Sequence, residues 1–268
     1  MASNISMKTV VITGSTRGVG LCMAKEFLKS GCNVTVSGRS EKSFELAKKE
    51  LAEFSDKVLY VPCNVRVKEE LEKLWQESAQ KWGRVDYWIN NAGQNVPHEF
   101  AYDTEPSYVE AVIDTNIKGM IFGSQVAVSN MLSQGSGQVW NMEGLGSNGM
   151  IQIKTILYGT TKSALTYFTK GLAKELEGKP VLVGLLSPGM MLTDFITKTP
   201  DGEKSPVIEE QRFKKIFNIL ADKPETVAAF FVPQMLQNTK NDAHIVWLTR
   251  MKAMRRFATA SFNKRELI

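Results

Sequence analysis

Cysteine and histidine are scarce in this chain. Its 268 residues hold three cysteines, Cys22, Cys32 and Cys63, and two histidines, His98 and His244. No two cysteines form a C-x-x-C pair, and their odd number argues against a disulfide framework. The histidines lie far apart without companion ligands, so no metal site is expected and both read as ordinary surface or loop residues. No apolar run approaches the roughly 20 residues that a membrane-spanning helix needs. A secretory leader is missing too, because the strand pattern TVVIT begins at residue 9. These absences lead us to expect a reduced, metal-free protein of the cytoplasm with no targeting segment.

Charge is nearly balanced. The formal net charge is +5, and residues 250–268 supply all of it, with Arg250, Lys252, Arg255, Arg256, Lys264 and Arg265 against the single acid Glu266. The rest of the chain is neutral overall, so the basic balance describes a tail and gives no reason to expect a nucleic-acid partner.

Short β-rich runs alternate with helical patterns. The strands expected are 9–13, 33–38, 57–63, 85–90, 137–142, 180–186 and 244–249, and segments such as 18–30, 41–54 and 67–82 repeat their apolar residues at three and four. Apolar strands separated by helices imply crossovers, and hence a doubly wound parallel sheet of about seven strands with helices on both faces. A single α/β domain over 1–249 follows, with a basic tail over 250–268. The loose stretch KTPDGEKSP (198–206) and the helix expected after it place a substrate loop at 194–220.

The first strand runs into TGSTRGVG, comprising Gly14, Ser15, Thr16, Arg17, Gly18, Val19 and Gly20. Glycines there allow a tight turn and close approach of the backbone to a pyrophosphate, while a helix N-terminus offers free N–H groups. The motif opens a βαβ unit, the context in which it signals a Rossmann-type dinucleotide site. At the end of the second strand stands Arg39 in SGRS, with no acid for a ribose 2′-hydroxyl. Arg17 and Arg39 together suit a 2′-phosphate, which predicts NADPH as the cofactor.

Further motifs accompany these: INNAG (89–93) ends the fourth strand, Asn116 lies in the following helical segment, YGTTK (158–162) follows the fifth strand and SPGMMLTD (187–194) the sixth. Jointly they resemble the short-chain dehydrogenase/reductase family over residues 8 to about 235. The resemblance implies that Asn64 and Val65 flank the adenine, where the family more often has Asp-Val. It implies that Asn91, Ala92 and Gly93 line the cofactor, and that Pro188, Gly189 and Thr193 cover the nicotinamide amide. Tyr158 and Lys162 are one helical turn apart and share a face. Moving a tyrosine pKa from about 10 towards 7 requires roughly 4 kcal/mol, about what one charge supplies at about 4 Å and an effective dielectric near 20. Tyr158 is therefore expected to protonate a carbonyl oxygen. Lys162 is expected to lower the tyrosine pKa and hold the ribose, and Asn116, by family resemblance, to order a water leading to Lys162.

The loop after the fifth strand departs from the family pattern N-x-S-S. Asn141 and Met142 are followed by Glu143 and Gly144, so the usual serine is missing. Ser147 is one replacement and a solvent-facing loop serine the other reading; Glu143 either bonds a polar group of the substrate or caps backbone amides. The loop NMEGLGSNG, with LSPGM and FNILADKPETVAAFFVPQM, is similar to the chlorophyll b reductase branch. That resemblance implies NADPH-dependent reduction of a formyl tetrapyrrole or another bulky apolar carbonyl; Met190 and Phe195 after the sixth strand and Phe213 beyond the loose loop are the adaptable apolar side chains that suit such a substrate. The resemblance also implies a homodimer or homotetramer. A generic ketone or 3-oxoacyl reductase and a cofactor-binding scaffold are the alternatives. In the tail, Trp247, Met251, Met254 and Ala258 form an apolar stripe, which suits packing on the protein's own body or peripheral contact with an anionic membrane.

Overall fold

The computed structural model describes residues 7–262 and 265–268; Lys264, counted among the tail's cations, lies outside them. Seven parallel strands are present: β1 (Thr9–Ile12), β2 (Asn33–Gly38), β3 (Val58–Pro62), β4 (Tyr87–Asn90), β5 (Gly137–Met142), β6 (Val181–Ser187) and β7 (Ala243–Val246). They are ordered β3-β2-β1-β4-β5-β6-β7. The helices are α1 (Gly18–Lys29), α2 (Glu45–Glu50), α3 (Lys68–Trp82), α4 (Pro106–Ile113), α5 (Gly119–Gln134), α6 (Ile156–Glu175), α7 (Asp194–Thr197), α8 (Gln211–Leu220), α9 (Pro224–Gln237) and α10 (Arg250–Thr259). The expected fold class is the observed one. Strand order reverses between β1 and β4, which opens a crevice at the carboxyl ends of the strands, where ligands bind in such sheets.

Alternation along each strand divides the core into two layers. Val10 and Ile12 join α1 and α9 on one face, whereas Val11 joins α3 and α5 on the other. Trp140 and Val139 do the same on β5. Both faces are apolar because both are covered, hence the continuous apolar runs.

Two details bear on the site. A π-helical turn, Asp114–Lys118, joins α4 to α5 and contains the buried Asn116. Such single turns inside helices are frequent at functional positions. The helix expected from residue 207 starts instead at Gln211, after a 3₁₀ turn at Pro206–Glu209.

The tail departs from either simple picture. α10 turns Arg256 inward and its methionines outward, and Arg250 and Arg255 are exposed. Arg256 pairs with the buried Asp222 at 2.8 Å and donates to the Leu220 carbonyl at 2.7 Å. Arg265 pairs with the same carboxylate at 2.7 Å and caps the Ala221 carbonyl, and the Trp247 indole N–H also donates to Asp222 at 2.7 Å. Met251, Met254 and Phe257 are 76%, 66% and 50% exposed. Of the expected stripe, Trp247 packs on the body against Phe230 while Met251, Met254 and Ala258 face outward, and the buried acid fixes the helix through Arg256.

Burial alone would raise the Asp222 carboxyl, but Arg256, Trp247 and Arg265 outweigh it and hold the group below its usual value. A depressed carboxylate stabilises the fold above its unfolded pKa, near 3.9, and that contribution disappears as pH falls through the lower folded value. Asp222→Ala strands two arginines and an indole N–H. It should cost about 2–4 kcal/mol in urea unfolding at pH 7, slightly less than a fully buried broken pair. The difference from the unaltered protein should shrink below about pH 4.

Candidate active site

The β1–α1 turn is built for close approach. Gly14 has φ +61°, and a Cβ there would lie 2.8 Å from the Ala92 Cα. The turn is stitched from behind: the Ser15 hydroxyl donates to the Ile12 carbonyl at 2.7 Å and accepts the Ser37 N–H at 3.0 Å. Asn91 donates its amide to the carbonyls of Thr13 and Gly14, and Thr13 Oγ1 accepts the N–H groups of Asn91 and Ala92. Ser15 and the Asn91 side chain thus shape the loop that their neighbours present. No side chain caps α1 and no acid occupies its first turn, so its leading N–H groups face the crevice beside Thr16, Gly18, Val19 and Gly20. This terminus fits an anionic pyrophosphate. Arg39 is exposed at the carboxyl end of β2. Arg17 is exposed too and reaches Asp194 of α7 across the crevice at 3.6 Å.

Beyond β3, the Asn64 N–H donates to Glu70 at 2.7 Å and Val65 is buried against Gly119. Arg66, unmarked by the sequence reading, donates to Thr115, Gln94 and the Ala111 carbonyl and joins this loop to the one after β4. Asn116 clamps the same loop. Its Oδ1 accepts the Gln94 N–H at 2.8 Å, and its amide donates to the Gln94 carbonyl at 2.9 Å and to Thr161 at 3.1 Å. Pro188, Gly189, Met190 and Thr193 follow β6 along the crevice, and Thr193 precedes α7.

The centre lies on α6. Lys162 is 4% exposed, and its ammonium donates to the Met142 carbonyl at 2.8 Å. It lies 5.7 Å from the Tyr158 ring centre. Burial lowers Lys162 to about 8, against the nearby Glu143 charge, which raises it. Burial pushes Tyr158 upward. The expected depression of the tyrosine by the lysine is thus not found in this geometry, because the ammonium is aimed at the carbonyl and has itself lost hydration. Burial thus favours the neutral phenol. Gly144 makes room for it: a Cβ at 144 would collide with the Tyr158 hydroxyl.

The two candidate substitutes for the missing serine both point elsewhere. Ser147 Oγ accepts the Gly144 N–H at 3.2 Å and donates to the Lys162 carbonyl at 3.3 Å, fastening the loop to α6. Glu143 is 5% exposed, bonded to His244 of β7 at 2.8 Å and to Thr166 of α6 at 3.1 Å. Burial would raise its carboxyl, but His244 and the hydroxyls of Thr166 and Ser187 outweigh that and hold it below the usual value. Neither His244 nor Thr166 was marked as a site residue. The signal for Thr166, four residues beyond Lys162 on the same helix face, was present; for His244 there was none, since its contact spans 101 residues.

Of the residues expected near the substrate, Phe195 meets the site, with its ring 5.4 Å from that of Tyr158 in an edge-on arrangement. Phe213 stacks on Phe217 within α8 instead. Apolar groups unmarked in the sequence lie exposed on the loops after β4 and β5. Phe100 and Tyr102 stack at 5.3 Å and 5°, and Lys154 lies 5.3 Å over Phe100. Met150, Ile151 and Ile153 are 58%, 83% and 68% exposed on the loop before Tyr158.

Comparison with known proteins bears on this arrangement. A probable chloroplastic chlorophyll(ide) b reductase of Arabidopsis thaliana is 35% identical over 246 residues, covering 85% of this chain and 48% of its own. A chloroplastic chlorophyll(ide) b reductase of Oryza sativa subsp. japonica is 33% identical, covering 98% of this chain and 78% of its own. The chain thus spans about half the length of the Arabidopsis relative. Among solved structures, ElxO with NADP bound superposes with TM-score 0.78 at 23% identity over 92% of this chain and 99% of its own. The closed form of a serine dehydrogenase complexed with NADP+ gives 0.78 at 24%, over 91% and 95%. These two show the fold. Residues 8–204 match the family model for short chain dehydrogenases, and this match establishes that the chain belongs to the short-chain dehydrogenase family.

Proposed function

We propose that this chain is an NADPH-dependent reductase of a bulky apolar aldehyde, similar to the 7-formyl group of chlorophyll b or its chlorophyllide. The observation that carries the reading is the Tyr158 hydroxyl held against Gly144, with the Lys162 ammonium one helical turn on and fixed to the Met142 carbonyl. A bound NADPH supplies the hydride. The chain's own residues do the rest. Tyr158 holds the carbonyl oxygen by a hydrogen bond and gives it a proton as the alcohol forms. Lys162 steadies the negative charge left on the phenol oxygen, and Asn116 keeps α6 in register with the loop after β4. With Ser147 and Glu143 engaged elsewhere, Tyr158 both orients and protonates the carbonyl.

Size and polarity of the substrate follow from the mouth. The stacked Phe100 and Tyr102, Phe195, and the isoleucines of the 150–153 loop offer flat apolar contact. The rim is closed by two exposed polar contacts, Arg17–Asp194 and Tyr108–Asp201, and by the half-buried His98 beside Glu210. Exposed pairs of this kind are worth about 0–1 kcal/mol each, so the α7–α8 segment can open for a large ligand. The outward Met251, Met254 and Phe257, with Arg250 and Arg255 beside them, suit peripheral contact with an anionic lipid surface, where a water-insoluble substrate would reside.

Three measurements test these assignments. Arg39→Asp removes a charged partner of the 2′-phosphate and should raise KM for NADPH about 10- to 100-fold, from about 1.5–3 kcal/mol for such a bond, with NADH less affected. Equal use of both coenzymes by the unaltered chain overturns the NADPH assignment. Tyr158→Phe should lower turnover of chlorophyllide b or a simpler aldehyde about 10²–10⁴-fold with NADPH still bound, and Gly144→Ala should act in the same direction by displacing the hydroxyl. Near-normal turnover in Tyr158→Phe means that another group donates the proton. Co-sedimentation with phosphatidylserine vesicles at low salt should be lost in the double variant Met254→Glu, Phe257→Glu, which leaves the Asp222 anchor intact; an unaltered protein that stays in the supernatant refutes the membrane contact.

A further inference from the structure

The carboxylate at Glu143 has no part in the proton transfer just described, yet it lies buried beside the one buried ammonium among the described residues. We propose that Glu143 is the counter-charge of Lys162, a positioning residue that keeps the ammonium protonated in the dry site without touching the substrate. Glu143 directly follows Met142, whose carbonyl holds the Lys162 Nζ at 2.8 Å. Its carboxylate is fixed by partners on α6 and β7. Thr166 Oγ1 donates to Glu143 at 3.1 Å and lies 3.1 Å from the Lys162 carbonyl, and His244 holds the second oxygen at 2.8 Å. The groups facing this carboxylate are therefore Lys162 and Thr166 from α6, His244 from β7 and Ser187 from β6.

A carbonyl dipole alone is a poor partner for a buried charge. Lys162 has lost its water, and burial draws it down to about 8, with Glu143 the one charge acting against that fall. Without the carboxylate, a substantial fraction of the lysine would be neutral at physiological pH, and the phenolate formed in each turnover would face an uncharged amine. A seryl hydroxyl at 143 could not replace this effect. The loop that lost the family's serine has thereby gained a fixed negative charge behind the catalytic lysine.

The consequence for turnover rests on the reductase reading, but the charge relation does not, and the test separates them. The titration of Lys162 is followed in the full chain by its acetylation with trace acetic anhydride as a function of pH, read on the peptide by mass spectrometry. The midpoint should fall by about one pH unit in Glu143→Gln, the low end of what a nearby opposite charge contributes, and stay in place in Glu143→Asp. The alkaline limb of turnover should move down by the same amount in Glu143→Gln, with KM for NADPH little changed. An unmoved midpoint in a Glu143→Gln protein that melts normally overturns the proposal and leaves Glu143 a structural staple between β5, α6 and β7. If Glu143→Gln does not fold, His244→Gln decides, since it cuts the staple and keeps the charge: an unmoved midpoint supports the proposal and a lowered one overturns it. A chain that reduces no carbonyl compound while its Lys162 titrates as described refutes the reductase reading alone.

Discussion

A primary ammonium buried to 4% exposure has to be held, or it drops its proton. Lys162 is held by the Met142 carbonyl at the end of β5, and this bond ties the catalytic face of α6 to the sheet. It works only if the end of β5 is itself immobile. A buried amide network provides that: Trp88 donates to Asn90, Asn90 to Asn141 and Ser124, and Asn141 to Thr169 of α6. All five are at most 5% exposed. Each missing partner would leave a polar group unpaired at about 1–3 kcal/mol, so the network specifies one register between β4, β5, α5 and α6. Tyr158, one turn before Lys162, inherits that register.

Outside this rigid centre the structure changes character. The segment bearing α7 and α8 meets the turn after β1, the loop after β4 and α4 through the polar pairs of Arg17, His98 and Tyr108, weak enough to exchange for contacts with a ligand. Rigid chemistry beneath a weakly fastened rim is what a large substrate requires: the reacting atoms need fixed geometry, while the body of the molecule needs a way in.

Local chemistry was legible in the sequence. The glycine turn, the strand runs and the Tyr158–Lys162 spacing each depend on neighbours within a few residues, and each lies where expected. Gly14 is a good case, since its left-handed φ and the collision awaiting a Cβ are what a tight turn under a ligand demands. Contacts closed by the tertiary fold were not legible. Glu143 meets a histidine 101 positions away, and nothing near either residue announces it. The role expected of Ser147 also depended on a direction that sequence does not encode: its hydroxyl turns to the Gly144 amide and the Lys162 carbonyl. The tyrosine–lysine energetics were read as if the ammonium were free to face the phenol, whereas the Met142 carbonyl takes it first.

The tail shows why an apolar stripe alone does not say which side of a helix packs. Periodicity reports that one face is apolar; the direction that face takes depends on what the body offers in return. Here the body offers Asp222, an acid 6% exposed between α8 and α9. An unpaired carboxylate at that depth costs more than a few exposed methionines, which lose only about 25 cal/mol per Å² of the burial they forgo. Arg256 and Arg265 therefore turn inward and the methionines outward. A buried acid in the domain has set the face that the chain presents to its surroundings.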